Sequence, residues 1–537
     1  MTTLVESYWP ADSSVALSEH TVGTLLAERA DTHNARVALV GTPHGTTQLR
    51  RLTYGELYEE ARRVASALTE LTEPGDFVAI WAPNVVEWPI VQYGAALAGR
   101  TLVAINPVFR ADELRYALTH SSATVLIHAD ANRDYDMAAV VSKVASDVPS
   151  LVHVISLSER DRWRGGSAEF VSTATDPDAP AMLQYTSGTT GLPKGVLLRH
   201  RSLVNVAMLT MEAAEITEGA VCVNPLPMFH TASCVIGTLG PLSIAGTALL
   251  VETFAPQSVL DWAIEEKATV LFFVPTILGA LLETMRNNDR PAPQFRSILG
   301  GAANVPAVMI EGARRVFGGA VHNLFGQTEL APVLTLIRRS DAIEDQLGTV
   351  GRPIGQVEVK IVDTVSGATA PLGVQGEICA RGYQQMIEYY KDPDATTRTV
   401  DGDGWLHLGD LGSMDERGYI TLTGRLKDLI ISGGENIAPA EVESRLVEHS
   451  AVAQAAVVGV PHEKWGETVA AVLVVRGERR PAELVESVRR QLGQRVAPFK
   501  VPKRWFITDA LPLTASGKVQ KFVLRDAILS DRLDEVR

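Results

Sequence analysis

Two hydrophobic rhythms alternate along most of the chain, and no other feature restricts the folds open to it as strongly. Short runs rich in β-branched residues, FVAIWA (77–82), TLVAINP (101–107), ATVLIH (123–128) and LVHVISL (151–157), are separated by segments with helical spacing such as YGELYEEARRVASALTEL (54–71). Alternation of strands and helices argues for a layered α/β architecture. The rhythm resumes further on, with FAPQSVLDWAIEEK as a helix, TVLFFVP as a buried strand and TILGALLETMRNN as a second helix. From about residue 355 it gives way to short strands with Gly and Asp turns, EVKIVD, GEICARG and GYITLTG, the texture of a small β-rich subdomain. After GRLKD (424–428) a compact α+β unit follows, with EVESRLVEHS and PAELVESVRRQLGQR as helices and AQAAVVGVP and TVAAVLVVRG as strands.

A chain of 537 residues exceeds the ~250–300 at which a single core stops growing, so at least two domains are expected. The predicted division is a large N-terminal domain over 1–424, a hinge at 425–428 and a small mobile C-terminal α+β domain over 429–537. The mixed charges of Arg425, Lys427 and Asp428 ahead of the apolar run LII read as a solvated connection. The net charge of −14 argues against a general nucleic-acid or anionic-membrane binder, so any phosphate site has to be local. The most apolar stretches, 235–251 and 268–282, are interrupted by Gly or Pro and are too short to span a bilayer. MTTLVESYWPADSS lacks the basic and apolar regions of a secretory signal, and Cys222, Cys234 and Cys379 show no CxxC spacing. Buried free thiols, rather than disulfides or a zinc site, and a cytoplasmic location are the expectation.

The stretch YTSGTTGLPKG (185–195) packs three glycines, the hydroxyls of Thr186, Ser187, Thr189 and Thr190, and Lys194 into one short run. Gly188, Gly191 and Gly195 let backbone approach a ligand, while the hydroxyls and the ammonium supply donors for a polyphosphate. It is not a Walker loop, because Pro193 precedes Lys194 and Gly195 follows it. Further stretches follow in order: PMFHTA (227–232), GGAA (300–303), FGQTE (325–329), WLHLGD (405–410), GRLKDLIISGGENI (424–437) and PLTASGKVQK (512–521). Taken together with LTYGEL and NPVFRADELRYAL, this set resembles the adenylate-forming superfamily, and within it the acyl-CoA synthetases and fatty-acid or aryl-acid CoA ligases.

The resemblance implies two steps. A carboxylate attacks the α-phosphate of ATP to give an acyl-adenylate and pyrophosphate, and the thiol of coenzyme A then displaces AMP. It implies that Thr186, Ser187, Gly188, Thr189, Thr190 and Lys194 hold the β- and γ-phosphates. Gly301, Ala302, Ala303, Phe325 and Gly326 would pack along the nucleotide, with Thr328 at the α-phosphate and Glu329 as the Mg²⁺ ligand. Asp410, assisted by Arg425, would accept the ribose hydroxyls, and Lys518 would bridge the acyl carboxylate and the α-phosphate as charge builds. Lys427 takes the hinge position, and Ser432, Gly433 and Gly434 the loop that meets the pantetheine of coenzyme A. His230, Ala232, Ser233, Gly237, Leu299, Gly300 and Leu330 would line the acyl pocket. His230 is not a general base, since a carboxylate needs no deprotonation at neutral pH.

Leu299, Glu388, Leu408 and Ala438 depart from the residues usual at those positions in close acyl-CoA ligases. None of the four removes a charged catalytic group. The pocket positions are small or apolar, with no Arg or Lys to pair a second carboxylate, so a neutral hydrophobic monocarboxylic acid is the expected substrate. Two alternatives stay open. One is an adenylation enzyme that loads a separate carrier protein, and the other is an enzyme working mainly on the thioester-forming half-reaction. A silent nucleotide-binding scaffold is disfavoured by Lys194, Glu329, Asp410, Arg425 and Lys518 standing together, and self-association into a homodimer is compatible with the sequence.

Overall fold

The computed structural model describes residues 3–165, 170, 176–186, 193–287, 290–301, 305–432, 435–477, 480–513 and 519–536. The expectations at Ser187, Gly188, Thr189, Thr190, Ala302, Ala303, Gly433, Gly434 and Lys518 lie outside these described residues. The chain forms two compact units, Trp9–Val359 with Ala380–Leu406, and Met1–Tyr8 with Lys360–Cys379 and His407–Arg537. Compactness thus groups much of the β-rich segment with the C-terminal one.

The larger unit carries two sheets. In the seven-stranded sheet, Pro180–Thr186, Thr101–Ile105, Phe77–Trp81, Val125–His128 and His153–Ser156 run parallel, in that spatial order. Lys194–Arg199 and Glu388–Tyr389 extend it antiparallel beyond Pro180–Thr186. The nine-stranded sheet has a parallel centre in the order Ala320–Phe325, Ser297–Gly301, Val270–Phe273, Val221–Asn224, Thr247–Leu250 and Val37–Gly41. Phe77–Trp81, Thr101–Ile105, Val125–His128, His153–Ser156 and Val270–Phe273 fall in runs that the sequence marked as strands, largely apolar because a sheet covered on both faces has no polar side.

The intervening helices follow their sequence signals. Tyr54–Leu71 starts where Thr53 and Glu56 form a capping box: the Thr53 hydroxyl accepts from the Glu56 amide at 3.2 Å, and the Glu56 carboxylate accepts from the Thr53 amide at 2.8 Å. Its apolar stripe, Tyr54, Leu57, Ala61, Val64, Ala65 and Leu68, is buried.

The smaller unit includes most of a five-stranded sheet, ordered Tyr8–Trp9, Val357–Val362, Gly376–Gly382, Leu406–Met414 and Ile420–Arg425. It also holds a C-terminal sheet built on the long antiparallel pair Val452–His462 and Gly466–Val475. Successive side chains of that pair feed two cores. Val457, Val469, Ala471 and Leu473 pack with Val442, Leu484 and Trp505, while Ala456, Val458, Ala470 and Val472 pack with Phe506, Leu524 and Ile528. Among the described residues, no helix is long and apolar enough to cross a membrane.

Candidate active site

In open α/β sheets, ligands bind beyond the carboxyl ends of the parallel strands. The expected site residues of the larger unit cluster at such ends. Thr186 closes strand Pro180–Thr186 and pairs across a hairpin with Lys194, so both flanks of the glycine-rich stretch are held by ladder contacts. The approach is braced by Tyr116, whose hydroxyl donates to the Pro193 carbonyl at 2.8 Å, and by Tyr185, whose hydroxyl donates to the Ala117 carbonyl at 2.8 Å. The Lys194 ammonium sits 4.3 Å from the centre of the Tyr389 ring. A cation held over an aromatic face is positioned without its charge being cancelled, which suits a phosphate ligand.

Phe325 ends the strand Ala320–Phe325, Gly326 follows it, and Thr328–Leu330 forms a single tight helical turn. A Cβ on Gly326 would lie 2.0 Å from the Pro332 carbonyl oxygen, so only glycine permits the backbone to fold back here. The turn buries Glu329 to 8% exposure, while Phe325 and Thr328 remain half-buried. One carboxylate oxygen of Glu329 accepts the Tyr389 hydroxyl at 2.7 Å, and the Glu329 backbone carbonyl accepts the Met386 amide at 2.8 Å. Burial and the adjacent Glu329 carboxylate push the Tyr389 phenol far above its ordinary value, so it stays a donor at neutral pH. Tyr389 therefore joins Lys194 to Glu329, two groups 135 positions apart in the chain. Sequence reading missed it. Its only signal was a pair of tyrosines at the end of RGYQQMIEYY, and nothing local says that this strand edge pairs with Leu197 and Val196.

On the acid side, Gly300 and Gly301 end strand Ser297–Gly301, and a Cβ on Gly300 would stand 1.9 Å from the Phe273 carbonyl oxygen. His230 is half-buried against Phe229, with ring centres 4.0 Å apart, at the start of the π-helical turn Ala232–Gly237. Ser233, expected in the pocket wall, donates its hydroxyl to the Leu226 carbonyl at 2.7 Å and accepts from Asn224 at 2.9 Å. It shapes the turn through those bonds. Leu299 and Leu330 are fully buried, and Ala232 is half-buried. A second residue missed from sequence, Gln184, accepts the Thr231 amide at 3.0 Å and donates to the Cys234 sulfur at 3.1 Å. It ties the strand leading to the glycine-rich stretch to the segment carrying His230.

In the smaller unit, Asp410 and Arg425 are cross-strand neighbours, and the Arg425 Nε lies 2.8 Å from Asp410 Oδ1. The Asp410 side chain is 7% exposed and that of Arg425 45%, so the carboxylate is held from one side by a guanidinium that still meets solvent. Lys427 lies in the exposed turn Leu426–Asp428, and Ser432 ends the short strand Ile430–Ser432.

Lys194 at a strand flanking the glycine-rich stretch, the buried carboxylate of Glu329 and the Asp410 carboxylate beside Arg425 are groups that a nucleotide-activating enzyme can use. The chain belongs to the AMP-binding enzyme family, whose sequence profile matches residues 26–390, with the AMP-binding enzyme C-terminal domain matching residues 441–518. It is 35% identical to a putative acyl-CoA synthetase, YngI, of Bacillus subtilis over 95% of this chain and 97% of that protein. It is 36% identical to 3-[(3aS,4S,7aS)-7a-methyl-1,5-dioxo-octahydro-1H-inden-4-yl]propanoyl:CoA ligase of Rhodococcus jostii, over 89% of this chain and 94% of that one. Among solved structures, the anthranilate CoA ligase AuaEII in complex with anthranoyl-AMP superposes with a TM-score of 0.85 at 25% identity, covering 97% of this chain and 99% of that one. Within the family the chain falls in the acyl-CoA ligase branch and is an ATP-dependent, AMP-forming acid–thiol ligase.

Proposed function

We propose that the enzyme activates a neutral, hydrophobic monocarboxylic acid, first as the acyl-adenylate and then as the coenzyme A thioester. The observation that carries this reading is the Lys194–Tyr389–Glu329 arrangement, which sets a positive charge and a carboxylate on either side of one buried phenol. Lys194 contacts the terminal phosphates and Thr328 the α-phosphate. Glu329 offers a hard oxygen donor of the kind Mg²⁺ takes, and the ion when bound offsets the charge of the phosphates. Asp410 accepts the ribose hydroxyls with Arg425 beside it. The acid enters between the His230 turn and Gly300, where Ala232 and the glycines leave room for an apolar group and the described wall residues offer no cation for a second carboxylate.

Lys518 stabilises the charge that builds while the carboxylate attacks ATP, as the family resemblance implies. The C-terminal domain then turns about Lys427 and presents Ser432, Gly433 and Gly434 to the pantetheine arm. A cytoplasmic location fits this chemistry. The test is incubation with ATP, coenzyme A and a panel of monocarboxylic acids, reading pyrophosphate and thioester separately. Hydrophobic monoacids are expected to give both products. Thioester only from supplied acyl-adenylate would favour the half-reaction alternative, and transfer only to a carrier protein would favour the carrier-loading one. Lys518→Ala should slow adenylate formation by roughly 10²–10³ and spare transfer from synthetic acyl-adenylate. Equal loss of both steps would overturn the role given to Lys518.

A further inference from the structure

Strands Gly376–Gly382 and Leu406–Met414 bring together three side chains that the reaction above does not use. Glu377 and Cys379 stand two apart on one strand and so project to the same side, and His407 meets them from the other. Glu377 Oε2 lies 2.8 Å from His407 Nδ1, and Cys379 Sγ lies 3.4 Å from the same nitrogen. All three donor atoms lie within 4.8 Å of one another. A nucleophilic relay would place the thiol on one imidazole nitrogen and the carboxylate on the other. Here both converge on Nδ1, and Cys379 is fully buried. That is the disposition of a chelate.

We propose that Glu377, Cys379 and His407 form a binding site for a borderline-soft divalent cation of the Zn²⁺ class. One sulfur, one imidazole nitrogen and one carboxylate oxygen select zinc or cobalt over magnesium or calcium, which prefer oxygen alone. With Zn–S near 2.3 Å and Zn–N or Zn–O near 2.0–2.2 Å, tetrahedral donors stand roughly 3.4–3.6 Å apart. The sulfur–nitrogen separation of 3.4 Å already fits. The carboxylate has only to draw back from hydrogen-bonding distance, by rotation of its own side chain. Its other oxygen is fixed meanwhile, accepting the Gly409 amide at 3.0 Å, a supporting contact of the kind that orients metal-binding carboxylates. The His407 side chain is 31% exposed and gives the cation a way in, leaving the fourth position to water. Binding releases the thiol proton and any proton on Nδ1 to solvent, so the cation, thiolate, neutral imidazole and carboxylate balance. The site is independent of the Mg²⁺ role given to Glu329.

The test uses the full-length protein, stripped with chelator and titrated with Co²⁺ in the absence of nucleotide. One equivalent should bring up a thiolate-to-cobalt charge-transfer band, which Zn²⁺ abolishes by displacement and Mg²⁺ in excess does not. Cys379→Ser should lose the band while Cys222→Ser keeps it, and His407→Gln, on the more exposed side, should weaken binding by at least about tenfold. Zn²⁺ should also raise the melting temperature of the parent and not of His407→Gln. Absence of the band in folded parent protein, or its persistence in Cys379→Ser, overturns the proposal. If Cys379→Ser does not fold, unchanged cobalt affinity in His407→Gln does so equally.

Discussion

Tyr389 shows how much one side chain can carry at the scale of a residue. Its hydroxyl is the described hydrogen-bond partner of the Glu329 carboxylate, and its ring lies under Lys194. Tyr389→Phe keeps the ring and leaves a nearly buried carboxylate short of a charge-assisted bond worth roughly 1.5–3 kcal/mol. It should depress pyrophosphate release at saturating acid while ATP affinity, which leans on Lys194, changes less; initial-rate kinetics separate the two. Asp410→Ala should weaken AMP binding by about 1.5–3 kcal/mol in calorimetry, with little loss of thermal stability because its partner Arg425 is half exposed. Unchanged AMP affinity would remove Asp410 from the ribose site. Asp410 and Glu329 could be singled out as candidates from their motifs. Gln184 and Tyr389 could not, because neither has a distinctive neighbour in sequence and each acts on a segment far away in the chain.

At the scale of elements, the close parallel strands set the terms. Gly300 pairs with Phe273, and a Cβ there would stand 1.9 Å from a backbone oxygen that can yield only by breaking the ladder. Gly300→Ala should therefore lower stability by roughly 1–3 kcal/mol or more in thermal melts, with or without ligand. Thr53→Ala removes one arm of the capping box of Tyr54–Leu71 and should cost about 1 kcal/mol without touching turnover. The helix Tyr54–Leu71 was readable to the residue from its helical spacing, since its apolar stripe is local. The Ala232–Gly237 turn was not, because its geometry depends on Asn224 and Gln184 reaching it from strands of two different sheets.

At the scale of the whole molecule, two buried histidines tie stability to pH. His200 and His322 are fully buried, and burial holds each imidazole down to about 4. His322 is committed to the neutral form, with Nδ1 2.9 Å from the Ile337 carbonyl and Nε2 3.3 Å from the Ser297 hydroxyl. The unfolded chain takes up protons near 6.5 where the folded one does not. Their contribution is thus complete above pH 6.5 and is lost as pH falls toward 4, by up to roughly 1.4 kcal/mol per pH unit for each ring. Between pH 7 and pH 5 the melting temperature should fall less steeply in His322→Asn than in the parent protein; an identical slope would mean that the His322 ring does not contribute. Lys427→Pro, which stiffens the proposed hinge, should spare adenylate formation and suppress thioester formation. Equal slowing of both steps would set the hinge aside.

The alternation of strand and helix and the ordered glycine, carboxylate and lysine motifs are set by residues close in the chain, so the α/β class could be read directly and the motifs carried the resemblance to adenylate-forming enzymes. What depended on strands meeting from distant segments could not. The phenol joining Lys194 to Glu329, the amide joining Gln184 to the His230 turn, and the convergence of Glu377, Cys379 and His407 on one nitrogen all arise where strands meet segments far away in the chain. A strand's own sequence shows which face a residue takes, but only the folded sheet determines which neighbour waits there.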